Sequence, residues 1–235
     1  MAKYRSIVIL TGAGISAESG IPTFRGADGL WEGHRVEDVA TPEAYVRDPE
    51  LVHHFYNMRR AALGTVAPNP AHAALARLEQ AFDGRFLIIT QNVDDLHERA
   101  GSKNVLHMHG ELRKAWCLGC DNRTAWLEDM TEESRCPHCS REGRLRPDIV
   151  WFGEMPYEMD RIDEALSGCD LFVSIGTSGN VYPAAGFVAM VRHMGRAHTL
   201  ELNLDPSEGS RMFHETRHGP ASQLVPEFVD EVLGG

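Results

Sequence analysis

Runs of apolar residues recur along the chain and predict a set of buried strands. The runs are short and rich in β-branched side chains, at Ser6–Leu10, Phe86–Thr90, Asp170–Ile175 and Thr199–Leu204. Between some of them the apolar positions follow a helical period, at His72–Ala81 and Met159–Leu166. Near the end of the chain the pattern predicts a last strand and a terminal helix, at Ser222–Val225 and Pro226–Leu233. Because strands that alternate with helices are typical of βαβ units, we expect an α/β fold with a parallel sheet.

Two segments interrupt this alternation and predict a smaller, inserted module. Residues 28–65 look helical, with breaks at Pro42 and Pro49, whereas residues 113–147 hold few strand signals. We therefore expect these two segments to form a small part inserted in a large sheet part, which would consist of residues 1–27, 66–112 and 148–235.

The composition is that of an ordinary globular protein. The 235 residues are enough for one large domain with an insertion, and contents of 43% hydrophobic and 24% charged residues are typical of soluble proteins. No apolar run approaches the roughly 20 residues that span a bilayer. The first residues, MAKYRSIVIL, lack the long apolar run and cleavage site of a signal peptide. We expect a cytoplasmic protein with no membrane partner.

The charge of the chain narrows the choice of partner. The formal net charge is −11, which argues against a nucleic-acid partner because such proteins present a basic face. The acidity is compatible with a basic partner, such as a lysine-containing peptide.

A glycine-rich loop follows the first predicted strand. Gly12-x-Gly14-x-x-Ala17 matches the turn that lets a backbone approach a pyrophosphate at the start of a helix. The acidic residue that a dehydrogenase carries about 20 residues later is not in its place. Phe24 and Arg25 follow instead, so we expect a dinucleotide to meet these two side chains.

Polar residues also follow two other predicted strands. Gly176, Thr177 and Ser178 come after one strand, where ligands of open α/β sheets bind, although a plain turn with Ser178 capping a helix is equally open. Gln91, Asn92 and Asp94 follow another strand and could bond a ribose or a nicotinamide amide. The alternative is that Asn92 or Asp94 caps the helix predicted over 95–99.

Two histidines, His107 and His109, stand two residues apart in LHMHGEL and share a face if this segment is extended. Histidine is the natural general base near neutral pH. Metal ligation and a structural role for either imidazole are the alternatives.

Four of the five cysteines form two CxxC pairs separated by fifteen residues, at Cys117, Cys120, Cys136 and Cys139. This spacing predicts a tetrahedral zinc site. Four thiolates leave no open coordination position, so the site would be structural rather than catalytic. Cys169 stands apart and is expected to be a small buried residue.

Tyr56 and Arg59 lie three residues apart in a helical pattern and would be neighbours on its surface. A phenol beside a guanidinium can bind a carboxylate. Taken alone, the pattern favours the alternative of a half-buried Tyr56 and a solvated Arg59.

Together these motifs resemble the sirtuin family, in the family's own order and from about Ser6 to the end of the chain. The segments that carry the resemblance are the two CxxC pairs, GAGISAESGIPTFRG, TQNVDDLHERAG, HMHGEL, VWFGE, IGTSGNVYPAAG and ELNLDP. The match is nearest to the bacterial CobB-type enzymes, the branch shared with eukaryotic desuccinylases. The resemblance implies a Rossmann-like large domain and a small domain made of a helical part and a zinc ribbon.

The resemblance also implies an NAD-dependent removal of acyl groups from lysine, which releases nicotinamide and O-acyl-ADP-ribose. His109 would be the general base, and Asn92 would be the second catalytic residue. NAD would be held by Gly12, Ala13, Gly14, Ala17, Phe24, Arg25, Trp31, Gln91, Asn92, Asp94, Gly176, Thr177, Ser178, Asn203, Leu204, Asp205 and Ala221. One structural zinc ion would be held by the four cysteines.

The acyl-lysine peptide would bind from the opposite side and add as a β-strand. Val150, Phe152 and Gly153 would contact it. Tyr56 and Arg59 match the Tyr-x-x-Arg pair of desuccinylating sirtuins residue by residue, so they would bind the carboxylate of a succinyl or malonyl group. Ala17 is small and would leave room in this pocket. The rival interpretations are a mono-ADP-ribosyltransferase, a non-enzymatic NAD sensor and a redox dehydrogenase.

Overall fold

The computed structural model describes residues 4–23 and 33–234, and these contain nine strands. The strands are β1 (Ser6–Thr11), β2 (Arg85–Thr90), β3 (Val105–His107), β4 (Gly110–Cys117), β5 (Arg123–Ala125), β6 (Leu145–Ile149), β7 (Leu171–Ile175), β8 (His198–Asn203) and β9 (Glu215–His218). Six of them form a parallel sheet in the order β3-β2-β1-β7-β8-β9. Numbered among themselves, these six have the order 3-2-1-4-5-6 of the Rossmann fold. The expected α/β, Rossmann-like fold is confirmed.

Nine α-helices accompany the strands within the described part of the chain. They are α1 (Gly14–Ala17), α2 (Val36–Val39), α3 (Pro42–Arg47), α4 (Pro49–Ala62), α5 (Pro70–Ala81), α6 (Leu96–Arg99), α7 (Met159–Gly168), α8 (Phe187–Met194) and α9 (Ala221–Gly234). Across residues 4–23 and 33–234, no helix combines the length and the apolar character that crossing a bilayer requires.

The parallel sheet is covered on both faces, which is why its strands are apolar throughout. Side chains that alternate along β1 point to opposite sides: Ile7 and Ile9 pack with α5 and α9, whereas Val8 and Leu10 pack with α7 and α8. The predicted strands in β1, β2, β7 and β8 and the predicted helices in α5 and α7 agree with the structure to within two residues.

Two predictions near the end of the chain differ from the structure. Ser222–Val225 is not a strand but the start of α9, which includes Pro226. Leu224, Val225, Phe228 and Val229 are buried along one face of this helix, because a 3.6-residue period rather than a two-residue period places them together. The last strand is instead β9, whose polar residues at the edge of the sheet give little strand signal.

A second, antiparallel sheet of order β5-β4-β6 is formed by strands within and beside the cysteine-bearing segment, and α2, α3 and α4 pack beside it through a shared apolar cluster. The expected breaks at Pro42 and Pro49 are confirmed: the helical segment is interrupted before each proline, and each proline lies in the first turn of the next helix, α3 or α4, after caps by Thr41 and Asp48. The division into two parts stays a prediction, and its boundaries at 112/113 and 147/148 fall inside β4 and β6.

Candidate active site

One cleft of about 860 Å³ opens where β1, β2, β7 and β8 end, and its far wall is formed by α4 and the segment after β6. The position is the topological switch point of the sheet, between β1 and β7, where ligands of this fold class bind. The cleft is lined by Gly12, Ala13, Gly14, Ala17, Tyr56, Arg59, Gln91, Asn92, Asp94, His109, Val150, Phe152, Gly153, Gly176, Thr177, Ser178, Asn203, Leu204, Asp205 and Ala221. Phe24, Arg25 and Trp31 lie outside the described residues.

The floor of the cleft is made of two glycine-containing loops in direct backbone contact. The Gly14 amide donates to the Gly176 carbonyl at 2.9 Å, and a Cβ on Gly14 would lie 2.7 Å from the Gly176 Cα. Gly176 itself has a φ of 62°, in the left-handed region that favours glycine. Within the described residues 178–183 no helix begins, so the alternative of Ser178 as a helix cap is wrong.

Ser16 is the centre of a buried polar cluster beside this floor. The side-chain amide of Asn92 donates to the Gly12 carbonyl at 3.1 Å and to the Ser16 hydroxyl at 3.2 Å. Ser16 in turn donates to a carboxylate oxygen of Asp94 at 3.0 Å, and burial raises the pKa of Asp94. The other oxygen of Asp94 accepts from the Leu96 amide, so the capping alternative applies to Asp94 but not to Asn92.

His72 supports this cluster from behind, and sequence reasoning missed both it and Ser16. The Asn69 amide donates to Nδ1 of His72, which leaves the hydrogen on Nε2, 3.4 Å from the Ser16 hydroxyl. Burial lowers the pKa of His72 to about 4, so the ring is neutral. Asn69 and His72 form a capping box at the start of α5, and their spacing is the sequence signal that could have identified His72.

The two histidines of LHMHGEL lie beside consecutive carbonyls of the loop after β2, yet their pKa values are shifted in opposite directions. Nδ1 of His109 donates to the Gln91 carbonyl at 3.1 Å, and burial lowers the pKa of His109. The ring is therefore neutral at neutral pH, with Nε2 as its proton acceptor. His109 lines the cleft and can act as a general base.

His107 is the member of the pair that has a carboxylate partner. Its Nδ1 donates to the Asn92 carbonyl at 3.2 Å, and its Nε2 lies 2.8 Å from the Glu98 carboxylate. Burial lowers the pKa of His107, but the hydrogen bond and the negative charge of Glu98 outweigh it, so the pKa is raised. A structural imidazolium fits these contacts.

At the other end of the cleft, α4 presents Tyr56 and Arg59 from its buried face. The exposed fraction is 0% for Tyr56 and 8% for Arg59, so the alternative of a solvated Arg59 is wrong. The neighbouring Arg60 points elsewhere: it donates to the Leu112 and Glu128 carbonyls. The Tyr56 hydroxyl accepts a hydrogen bond from the Trp151 indole at 3.0 Å. Arg59 therefore supplies a positive charge to this end of the cleft, next to a phenol.

The segment after β6 forms the wall where we expect a peptide. The Val150 amide donates to the His109 carbonyl, and the Phe152 amide donates to the Ala40 carbonyl. These bonds tie the segment both to the histidine loop and to α2–α3. Gly153 has a φ of 91°, with open space where a side chain would project.

The four cysteines gather away from the cleft, in the module of the small sheet. Their sulfur atoms all lie within 4.8 Å of one another, with Cys117–Cys139 and Cys120–Cys136 both at 3.7 Å. A tetrahedral zinc ion with bonds of about 2.3 Å places its sulfurs about 3.8 Å apart, whereas a disulfide needs about 2.05 Å. The donor set therefore fits a structural zinc ion.

Comparison with known proteins gives consistent matches. The model of the Sir2 family matches residues 12–183. A protein of Bdellovibrio bacteriovorus named NAD-dependent protein deacylase is 60% identical over 232 residues, covering 98% of this chain and 97% of that protein. A solved complex of a Sir2 homologue with NAD is 40% identical, with a TM-score of 0.89, and the match covers 98% of this chain and 90% of the other. A structure of Sir2 bound to acetylated peptide is 27% identical, with a TM-score of 0.82 and coverage of 97% and 94%.

Proposed function

The chain belongs to the Sir2 family and is an NAD-dependent protein deacylase, and on that premise we propose that it removes both acetyl and succinyl groups from lysine side chains. A single observation carries the proposal. One cleft has a floor of glycine backbone at one end, a neutral imidazole along its wall, and a phenol with a guanidinium at the other end. Malonyl groups, which also carry a carboxylate, fit the same argument.

At the glycine end, the residues suit NAD. The close contact of Gly12 and Gly14 with Gly176 lets backbone approach a pyrophosphate without side chains in the way. The buried amide of Asn92 and the carboxylate of Asp94 lie next to this floor and would hold the nicotinamide ribose. Bound there, NAD supplies an electrophilic ribose carbon and is consumed rather than reduced.

His109 would take a proton from a ribose hydroxyl. Its Nδ1–H is fixed on the Gln91 carbonyl, so the neutral ring presents Nε2 as the basic atom. The side-chain amide of Asn92 donates to the Gly12 carbonyl and to the Ser16 hydroxyl. Because these bonds fix the side chain in place, Asn92 would orient the sugar.

Tyr56 and Arg59 would bind the carboxylate at the distal end of a succinyl group. A hydrogen bond to a charged group contributes roughly 1.5–3 kcal/mol, or about tenfold or more in selectivity. An acetyl group has no carboxylate and would gain nothing from this pair. The partners are thus acyl-lysine proteins or peptides, and the expected cytoplasmic location stays a prediction.

The test compares Arg59→Met with the wild type on two peptides of one sequence, acetylated or succinylated at the same lysine. With NAD present and mass spectrometry as the readout, the variant should lose at least about tenfold in desuccinylation and far less in deacetylation. Arg47→Met is the matched control, because Arg47 lies on the exposed side of the neighbouring helix α3 and bonds Asp38 there.

Equal losses on both peptides would remove the carboxylate role of Arg59. Transfer of label from NAD to the protein, with no acyl group released, would instead favour the ADP-ribosyltransferase.

A further inference from the structure

We propose that Trp151 is a positioning residue that aims the Tyr56 hydroxyl at carboxylated acyl groups, and so sets acyl selectivity without binding the acyl carboxylate. This inference rests on the proposed role of Tyr56 and Arg59. It concerns a single hydrogen bond inside the protein, between the segment after β6 and helix α4.

The direction of that bond is fixed by chemistry. An indole N–H can only donate, so the Tyr56 oxygen must be the acceptor in the 3.0 Å contact with Nε1 of Trp151. A phenol has one proton, and with an indole hydrogen occupying one side of its oxygen, that proton must point away from Trp151. Both side chains are buried, with exposed fractions of 0% and 2%, so bulk water does not compete for the bond.

Trp151 itself is held firmly on its other side. The guanidinium carbon of Arg146 lies 3.4 Å from the centre of the indole ring. Arg146 also forms a bidentate ion pair with Glu154, with N–O distances of 2.6 and 2.9 Å. Glu154 also accepts from the backbone amide of Trp151 at 2.8 Å. The ring of Tyr45 packs against the indole at 5.3 Å. These contacts give the indole N–H a fixed direction toward α4.

The consequence differs between substrates. A succinyl carboxylate needs the Tyr56 hydroxyl as a donor, whereas an acetyl group does not. Burial raises the pKa of Tyr56 to about 12, so the phenol stays protonated near neutral pH, where the enzyme is assayed. Trp151 therefore contributes to binding only when the acyl group carries a carboxylate.

Trp151→Phe tests the proposal, because phenylalanine keeps an aromatic ring but lacks the N–H. With the matched acetyl and succinyl peptides, KM for the succinyl peptide should rise about three- to tenfold, the effect of one hydrogen bond. The kcat values and KM for the acetyl peptide should stay within about twofold. Tyr45→Phe is the matched control: it removes a partly buried hydroxyl bonded to the Leu145 carbonyl beside the same indole, and it should leave both KM values unchanged.

A double-mutant cycle with Tyr56→Phe completes the test. If Trp151 acts through the Tyr56 hydroxyl, adding Trp151→Phe to Tyr56→Phe should change selectivity no further. Equal damage to both substrates, or additive effects in the cycle, would overturn the positioning role. If Tyr56→Phe and Arg59→Met leave selectivity intact, the carboxylate site fails; if they reduce it but Trp151→Phe does not, only this inference fails.

Discussion

A single carboxylate separates the roles of two histidines that stand two residues apart. His107 and His109 bond consecutive carbonyls through the same ring nitrogen, but only His107 has Glu98 at its second nitrogen. The pKa of His107 is therefore raised and that of His109 lowered, and a lowered pKa suits the general base that we propose for His109. Spacing alone left the two interchangeable, because Glu98 belongs to another element, α6.

The pH profile of deacylation should report His109. Because burial lowers the pKa of His109 below the usual value of about 6.5, kcat/KM followed from about pH 8 down to about pH 5 should reach half of its plateau below about pH 6.5. Initial rates on the acetyl peptide across that range measure it. In Glu98→Gln, which removes the charge beside His107, this acid limb should not move; a displaced limb would assign the titration to His107.

At the scale of elements, α4 carries two neighbouring arginines with different surroundings. Arg59 lines the cleft, whereas Arg60 is 4% exposed and ties α4 to β4 and to the segment after β5 through the Leu112 and Glu128 carbonyls. Asn57 adds a reciprocal pair of bonds with the Met130 backbone. The helix thus joins the acyl end of the cleft to the cysteine-bearing segment.

Arg60→Met should destabilise the fold by roughly 2–4 kcal/mol, since it leaves the buried Leu112 carbonyl without its donor and also removes the bond to the Glu128 carbonyl. Chemical unfolding followed by circular dichroism measures the change. Arg47→Met, on the exposed side of α3, should cost less than about 1 kcal/mol. A similar loss for both variants would mean that the interior bonds of Arg60 contribute no more than a surface ion pair.

How far an element could be predicted depended on whether its signal was local. The start of α4 follows from Asp48 and Pro49, which cap and open the helix within four residues. The start of α9 did not follow from its sequence. Taken by itself, the pattern of Ser222–Val225 predicts a strand, and only packing against α5 selects the helical period. Tertiary contacts of this kind override local patterns.

For the whole molecule, several neutral histidines in the interior make the fold sensitive to acid. Burial lowers the pKa of His53 and of His72 to about 4, and the pKa of His97 still further. In the unfolded chain these histidines take up protons near pH 6.5, whereas in the folded chain they stay neutral. The free energy of unfolding is therefore highest above about pH 6.5 and falls as the pH drops toward 4. Each such group costs about 1.4 kcal/mol per pH unit in that window.

His53→Leu should remove one share of this sensitivity. His53 is 3% exposed and packs edge-on against Tyr45, so leucine fits its apolar surroundings. Between pH 7 and pH 5, the unfolding free energy of the variant should fall by about 2 kcal/mol less than that of the wild type. The adjacent, exposed His54 provides the control: urea unfolding of His54→Gln should follow the wild type, and a parallel result for His53→Leu would contradict the prediction.

The family resemblance predicted the residues of the cleft together, because the motifs that line it follow strands that end at the same edge of the sheet. The buried supports behind it were not predicted. Ser16, His72 and Trp151 act through bonds to residues 56 to 95 positions away in the chain, and no local pattern encodes such pairs. The resemblance therefore indicated which side chains line the site, while the folded structure shows what holds them.

The interlocked glycine loops make one end of the cleft far less tolerant of substitution than the other. At Gly12, Gly14 and Gly176 any added side chain would collide with neighbouring backbone, so substitution offers no graded route to a different cofactor. The opposite end is made of side chains on α4 and after β6, where single exchanges change size and charge. On the proposed function, exchanges at this end would change the acyl preference and leave the glycine floor, where we propose that the nucleotide binds, unaltered.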